Sequence, residues 1–421
     1  MNGADESRRR FLRRGVAVAA IGAAGCAGRG EEEPGTDQGN DVPGTSGITD
    51  PVPPEATPAT LAPGDGEPRE FGVAAALDGR TALVGAPPGL DTTGAAYVFE
   101  WAGDGWRQEA TLTPEEKTGG FGEAVALSGD VALVGAPPSW EVERAGPGAV
   151  HVFERSGGAW RRTARLTPRY PDQSVRFGTA VDLDGRTALV GDCNRAESSI
   201  EEFGPAHVFD GTGEGWTVER VLSPRPAFGP YDAVSGFGWS VAVDGDAALV
   251  GGLEAWRTEE ELVTVNSMPQ MNVESERVPA TYAFTRTGSG WVQETAVRGL
   301  LGWTVALSPP YALIGDLVEG ESVSAVAVER RENRWERHAR LGGDSPSGTQ
   351  AAVALDGEVA VVGGGGSVHA FELGEDGWTR RTTLAPADGS TGFGRAVALE
   401  GTTALVGAAG EPPGAAHVRR V

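Results

Sequence analysis

The chain has 421 residues, with 35 Lys and Arg against 59 Asp and Glu, a formal net charge of -24 and a sequence pI near 4.6. Acidity on that scale argues against nucleic acid and anionic lipid as partners, because both are repelled by the whole surface. With 64 Gly and only two Cys, a disulfide-stapled scaffold is excluded, so packing must hold the fold together.

The first feature in chain order is Ser7-Arg8-Arg9-Arg10-Phe11-Leu12-Arg13, followed by an apolar run from Gly15 to Gly25 and then Cys26. Through Arg8, Arg9, Phe11 and Leu12 it resembles a twin-arginine export signal, which carries folded cargo outward. The apolar run is about half a membrane span and reads as a signal-peptide core. Ala23-Ala24-Gly25-Cys26 resembles a lipobox, with Ala in the place where Leu is usual. Residues 1–26 are therefore expected to be a signal peptide whose Cys26 is lipidated and anchors the mature chain outside the cytoplasmic membrane. A plain cleaved signal is the alternative. Residues 27–57 contain Glu31-Glu32-Glu33-Pro34 and no hydrophobic period, and read as a disordered acidic tether.

From residue 58 to 421 one unit recurs seven times, starting at Phe71, Phe121, Phe177, Phe237, Leu301, Thr349 and Phe393. The unit, kept loosely in copies five and six, has an aromatic-glycine pair, a short Ala/Val/Leu strand, a tight turn, Ala-Leu-Val-Gly or a variant of it, a variable loop, a third strand and, in copies one to six, a fourth. In copy two the strands are read at Glu123 to Leu127, Ala132 to Gly135, Ala149 to Phe153 and Trp160 to Leu166. Periods of this length with four short strands per copy predict the blades of a propeller. The pairs Asp78-Gly79, Asp184-Gly185, Asp244-Gly245 and Asp356-Gly357 are expected as the centres of type I′ hairpins; Ser308-Pro309-Pro310 in copy five must turn differently. Trp106, Trp160, Trp216, Trp291, Trp335 and Trp378 open the fourth strands, where diverging outer strands need bulk. Copy seven ends without a fourth strand, while Ala59-Thr60-Leu61-Ala62-Pro63 matches the fourth-strand ending Thr382-Thr383-Leu384-Ala385-Pro386. The expected fold is an all-β, seven-bladed β-propeller of four-stranded blades, closed by an N-terminal strand that covers the last open edge.

Phe71-Gly72 with Gly85-Ala86-Pro87, and Phe121-Gly122 with Gly135-Ala136-Pro137, resemble the FG-GAP repeats of the integrin alpha-subunit head and related bacterial and archaeal surface proteins. That resemblance implies a seven-bladed propeller for extracellular recognition, with ligands approaching one loop-rich face. Many such repeats carry a calcium loop of the form Asp-x-Asp-x-Asp-Gly. Every copy lacks it here; Asp182-Leu183-Asp184-Gly185 and Asp244-Gly245-Asp246 are too short and serve turns, so no metal and no cofactor are expected. High acidity with an export signal points to a haloarchaeal-type lipoprotein, soluble in concentrated salt and self-repelling at low salt.

No Gly-x-Ser-x-Gly elbow, His-Glu-x-x-His helix or Walker loop is present, and a non-enzyme is expected. His151, His207, His369 and His417 share one repeat position with Tyr97 and Tyr282 and read as architectural. Cys193 reads as a packed or weakly reactive thiol. The copies differ most after Ala-Leu-Val-Gly: in copy two around Trp140, and in copy four from Leu253 to Val278 with Trp256, Arg257, Met268 and Met271. Exposed aromatics and adaptable Met suit a binding surface; the same loops would also suit a lid packed on itself. The segment from Pro224 to Ser235 is expected near the opposite end of its blade. The favoured function is a monomeric, non-enzymatic binding or adhesion module at the cell surface, for an extracellular protein or polysaccharide, touching membrane only through the lipid on Cys26. A propeller enzyme acting on extracellular polysaccharide is the alternative.

Overall fold

The computed structural model describes residues 57–421 except 65–69, 89–93, 116–118, 139–145, 172–173, 175, 194–203, 214, 226–233, 266–267, 301, 317–323, 333, 343–350, 387 and 411–413, and describes 234–235, 253–279 and 316 by backbone alone. The export signal with Arg8, Arg9, Phe11 and Leu12, the lipidation site Cys26, the tether up to residue 56, and Trp140 lie outside the described residues.

Every element among the described residues is a β-strand, and the strands form seven antiparallel sheets arranged as a seven-bladed propeller. Blade 1 is Ala74–Asp78, Thr81–Ala86, Ala95–Trp101 and Trp106–Leu112, in sequence order from the axis outward. Alternate residues of its inner strands serve different cores. Ala74, Ala76 and Leu83 pack with Phe121, Val125 and Val134 of blade 2. Ala75, Leu77, Ala82 and Val84 pack with Ala396, Leu405 and Val418 of blade 7. This explains strands that are apolar on both faces, since each sheet is sandwiched between two others.

Glycines set the spacing between blades. A Cβ on Gly85 would stand 2.1 Å from the carbonyl oxygen of Gly122 in the next blade, and one on Gly191 would stand 2.0 Å from that of Gly238. The glycine of each aromatic-glycine pair therefore rests on the glycine that ends the previous blade's second strand. Gly407 and Gly72 close the same seam between blades 7 and 1, again at 2.0 Å.

The ring is closed as expected. Ala59–Leu61 pairs antiparallel with the last strand, Ala415–Arg420, in the register Ala59↔Val418, Thr60↔His417 and Leu61↔Ala416. Leu61 is 2% exposed and joins the core between blades 7 and 1.

The hairpins nearest the axis differ from the expectation. Asp78 pairs with Thr81, so the central residues are Gly79 and Arg80, and only Gly79 has positive φ, at 55°. That is the sign pattern of a type II′ turn with Gly first, not the type I′ turn with Asp-Gly at its centre. The shift by one residue frees the Asp side chain for another task. Its carboxylate accepts the turn N–H of Gly129 in blade 2, and Gly79 in turn donates to Glu400 of blade 7. The same link runs from Gly185 to Ser128 (3.1 Å), Gly245 to Asp184 (2.8 Å), Gly357 to Ser308 (2.9 Å) and Gly401 to Asp356. A belt of side-chain to backbone bonds thus circles this end of the axis.

The belt is broken once. Blade 5 keeps the two-residue hairpin, Ser308 pairing with Tyr311, but places Pro309 where the other blades have Gly. Proline has no N–H to offer Asp244. Burial and the neighbouring charges of Asp184, Asp356 and Asp246 push the Asp244 carboxyl up to about 6. Glu400 is pushed up to about 7 by burial and by Asp78 and Asp356, against the opposing bond from Gly79.

Truncating the closing strand's anchor, Leu61→Ala, should lower the unfolding free energy by about 2–5 kcal/mol, read from the midpoint of a urea titration; an unmoved midpoint would show that the strand does not hold the ring. For Asp244, a folded pKa raised above the unfolded value means that the native state binds more protons, so stability falls as pH rises through about 4 to 6. Asp244→Asn should therefore melt higher than wild type at pH 8, by about 1 kcal/mol after discounting for solvent screening, and no differently at pH 3.5. Equal melting at both pH values would remove the repulsion from the account.

Candidate functional site

An up-and-down blade sends its second-to-third and fourth-to-first connections to one end, here called the loop end. The first-to-second and third-to-fourth hairpins lie at the other, the turn end. At the loop end each buried Phe of the repeat meets the aromatic or His of its own third strand edge-on or tilted. Phe71 lies 5.5 Å from Tyr97, Phe121 5.3 Å from His151, Phe177 5.2 Å from His207, Phe237 5.4 Å from Tyr282 and Phe393 5.3 Å from His417. Burial holds His151 and His207 near pKa 4, with Arg162 and Arg165 adding to the effect at His151. These rings are neutral at neutral pH and part of the core, in the role that Tyr fills elsewhere. Among the described residues, no group of three His, Cys, Asp or Glu is placed to hold a metal ion.

Two buried clusters at the loop end had no individual signal in the sequence. Arg176, 3% exposed, pairs with Glu123, donates to the Pro138 carbonyl at 2.6 Å, and its backbone N–H bonds Asp192 at 3.1 Å. Burial raises the Glu123 carboxyl, while Arg176 pulls the other way. This pair ties the beginning of blade 2 to the connection entering blade 3. Between blades 4 and 5, Trp239 and Trp303 meet edge-on at 5.5 Å, each directly after the glycine of its copy. Both are buried and both stand just before first strands, whereas the tryptophan pattern in the repeat marked only fourth strands. Cys193 is fully buried, as a packed cysteine should be.

The segment from Leu253 to Val278 is not a loop. Its backbone continues the second and third strands of blade 4 as a ribbon, Ala247–Val265 paired with Met268–Thr287. The β-branched residues Thr258, Val263, Thr264, Val265, Val273 and Val278 favour that extended form. Beyond a register shift between Gly252 and Ala255, Trp256 is paired with Arg277, Arg257 with Glu276, Leu262 with Met271 and Val265 with Met268. The ribbon thus collects Trp256, Arg257, Met268 and Met271 on one element, whose side chains lie outside the description. At about 3.3 Å per residue, the thirteen residues from Leu253 to Val265 reach roughly 40 Å. The position expected for the Pro224 to Ser235 segment is also corrected. Val234–Ser235 pairs with Ala255 and Glu254 at the ribbon's base, because fourth-to-first connections emerge at the same end as second-to-third ones.

The FG-GAP repeat family model matches residues 57–99, 106–153 and 378–418. Each match runs from a fourth-strand position through the third strand of the following blade, and the first begins at the closing strand, placing Ala59–Leu61 in that role by sequence as well as by pairing. Among curated proteins none matches this chain. Similar solved structures include a protein from Lactobacillus plantarum (13% identity, 78% of this chain and 92% of that one, TM-score 0.45). They also include the periplasmic gluconolactonase PpgL of Pseudomonas aeruginosa (14%, 76% and 86%, TM-score 0.45) and a chain of the mitotic checkpoint complex (14%, 94% and 99%, TM-score 0.49). The matched segments are similar to FG-GAP repeats and are set in the ring of a seven-bladed β-propeller.

Proposed function

We propose that this chain is an exported, lipid-anchored surface propeller that binds an extracellular protein or polysaccharide through its loop end and catalyses no reaction. The observation that carries the reading is the ribbon of blade 4. Among the described residues, Trp256–Val265 pair only with Met268–Arg277, so each strand of the ribbon keeps one open edge beyond the ring. An open strand edge offers backbone N–H and C=O groups to an incoming extended segment, and aromatic and Met residues along it add contact area. The propeller supplies a rigid base for this reach. The export reading rests on the Arg8-Arg9 signal and on Cys26, and the acidic stretch 27–57 is the spacer that lifts the ring from the membrane.

Binding of the mature chain to cell envelopes at high salt should fall at least about tenfold on Trp256→Ala, with a smaller loss for Trp140→Ala. Equal binding by both variants, or release of sugar from envelope polysaccharide by the unmodified chain, would overturn the reading. In the native host, Cys26→Ser should move the protein from the membrane fraction to the medium. Retention in the membrane fraction would refute the anchor.

A further inference from the structure

At three junctions of the outer rim, blades 1 to 2, 3 to 4 and 4 to 5, the ring carries a repeated clamp. In blades 1 to 6 the fourth strand has a register shift that leaves one residue unpaired, three positions after its tryptophan: Glu109, Thr163, Glu219, Glu294, His338 and Arg381. A bulge re-aims its side chain, here toward the next blade. Glu109 accepts the indole N–H of Trp160 at 3.0 Å, Glu219 that of Trp291 at 3.3 Å and Glu294 that of Trp335 at 3.3 Å. In each case the residue paired with that Trp is an arginine, Arg155, Arg286 or Arg330, and it bonds the same carboxylate.

At the junction of blades 2 and 3 both halves of the clamp are missing. The bulge residue is Thr163 and the residue paired with Trp216 is Gly211. The buried indole Nε1 of Trp216 makes no hydrogen bond. A cavity of about 480 Å³ stands there, lined by Thr163, Trp216, Arg186, Glu154, Thr212 and neighbouring glycines. Arg186 reaches in from the adjacent inner hairpin. Its guanidinium lies 5.2 Å from the Trp216 ring centroid, bonds the Gly211 carbonyl at 2.6 Å and pairs with Glu154 at 3.1 Å. At the blade 5 to 6 junction, where the clamp is also absent, Tyr311 takes up the room, stacking on His338 and meeting Trp378 edge-on.

We propose that the cavity between blades 2 and 3 binds the carboxylate of a small organic acid, which takes the place of the missing glutamate between the Trp216 indole N–H and the Arg186 guanidinium. The site lies on the flank of the ring near the turn end, apart from the ribbon, and stands whether or not the loop end binds a partner. Glu154 shares Arg186 and opposes the incoming charge, so affinity is in the millimolar range. An acid the size of one sugar or one amino acid suits the volume.

Indole N–H signals of the ¹⁵N-labelled mature chain, with Trp216 assigned through Trp216→Phe, give the test. Titration with galacturonate and with N-acetylglutamate should move the Trp216 signal saturably and leave that of Trp160 unmoved, and glucose should move neither. The two acids separate a sugar acid from an amino acid as the better ligand. Thr163→Glu should bring the Trp216 signal to its carboxylate-bonded position without ligand and abolish the titration; Arg186→Ala, which leaves the strands untouched, should weaken binding at least about tenfold. A Trp216 signal unmoved by both acids would overturn the proposal. So would undiminished binding in Arg186→Ala, or a glucose response equal to that of galacturonate.

Discussion

Adjacent blades meet through backbone, and two glycines make that approach possible. Where a Cβ on Gly135 would stand 2.3 Å from the Gly178 carbonyl oxygen, no side chain of any size can be accommodated without pushing the blades apart. Ala and Val then suffice to fill the inner strands, because the sheets are already close. Bulk is needed only where the sheets diverge, and there the tryptophans begin the fourth strands. The repeat signature is in this sense a spacing device: where the Phe is present it fills the blade's loop end, and paired glycines bring the next blade in at six of the seven junctions, with Ala351 facing Gly315 at the seventh.

A circle of polar contacts around the axis and three clamps at the rim are built on that spacing. Around the axis at the turn end, the residue before each turn glycine reaches one blade onward to that blade's turn N–H. At the rim, a bulged glutamate reaches one blade onward to an indole. Each depends on a residue that is out of step with its own sheet, either beside a turn or on a bulge, and so free to serve the neighbour. Each also fails at identifiable substitutions. Pro309 removes the donor that Asp244 would meet, and Thr163 with Gly211 removes both the carboxylate and the arginine around Trp216. The consequences differ with the chemistry lost. A missing donor leaves a carboxyl among like charges with its pKa raised, whereas a missing side-chain pair leaves room.

Much of the loop end was legible only in outline. The copies disagree most in the second-to-third connections, and composition marked the insertion in blade 4, yet neither said that its residues would pair with one another over the length of a ribbon. That depends on cross-strand register, which the alternation of Thr, Val and Glu permits but does not fix. The Arg176–Glu123 pair and the Trp239–Trp303 contact were invisible for a related reason. Their members are 53 and 64 positions apart in the sequence and sit in different blades. Each is ordinary in its own copy.

What the sequence by itself determined is the architecture: the number of blades, the order of strands within them, and the borrowed closing strand at Ala59–Leu61. A period repeated seven times averages out local ambiguity, and the missing fourth strand of the last copy had a visible counterpart upstream. Only the tertiary structure decided the turn type, the direction in which Asp78 and Glu109 are used, and the place where a clamp gives way to a cavity. Those are relations between one blade and the next, set by a shift of a single residue in register. A repeat read copy by copy contains the residues of such a contact but not the neighbour they meet.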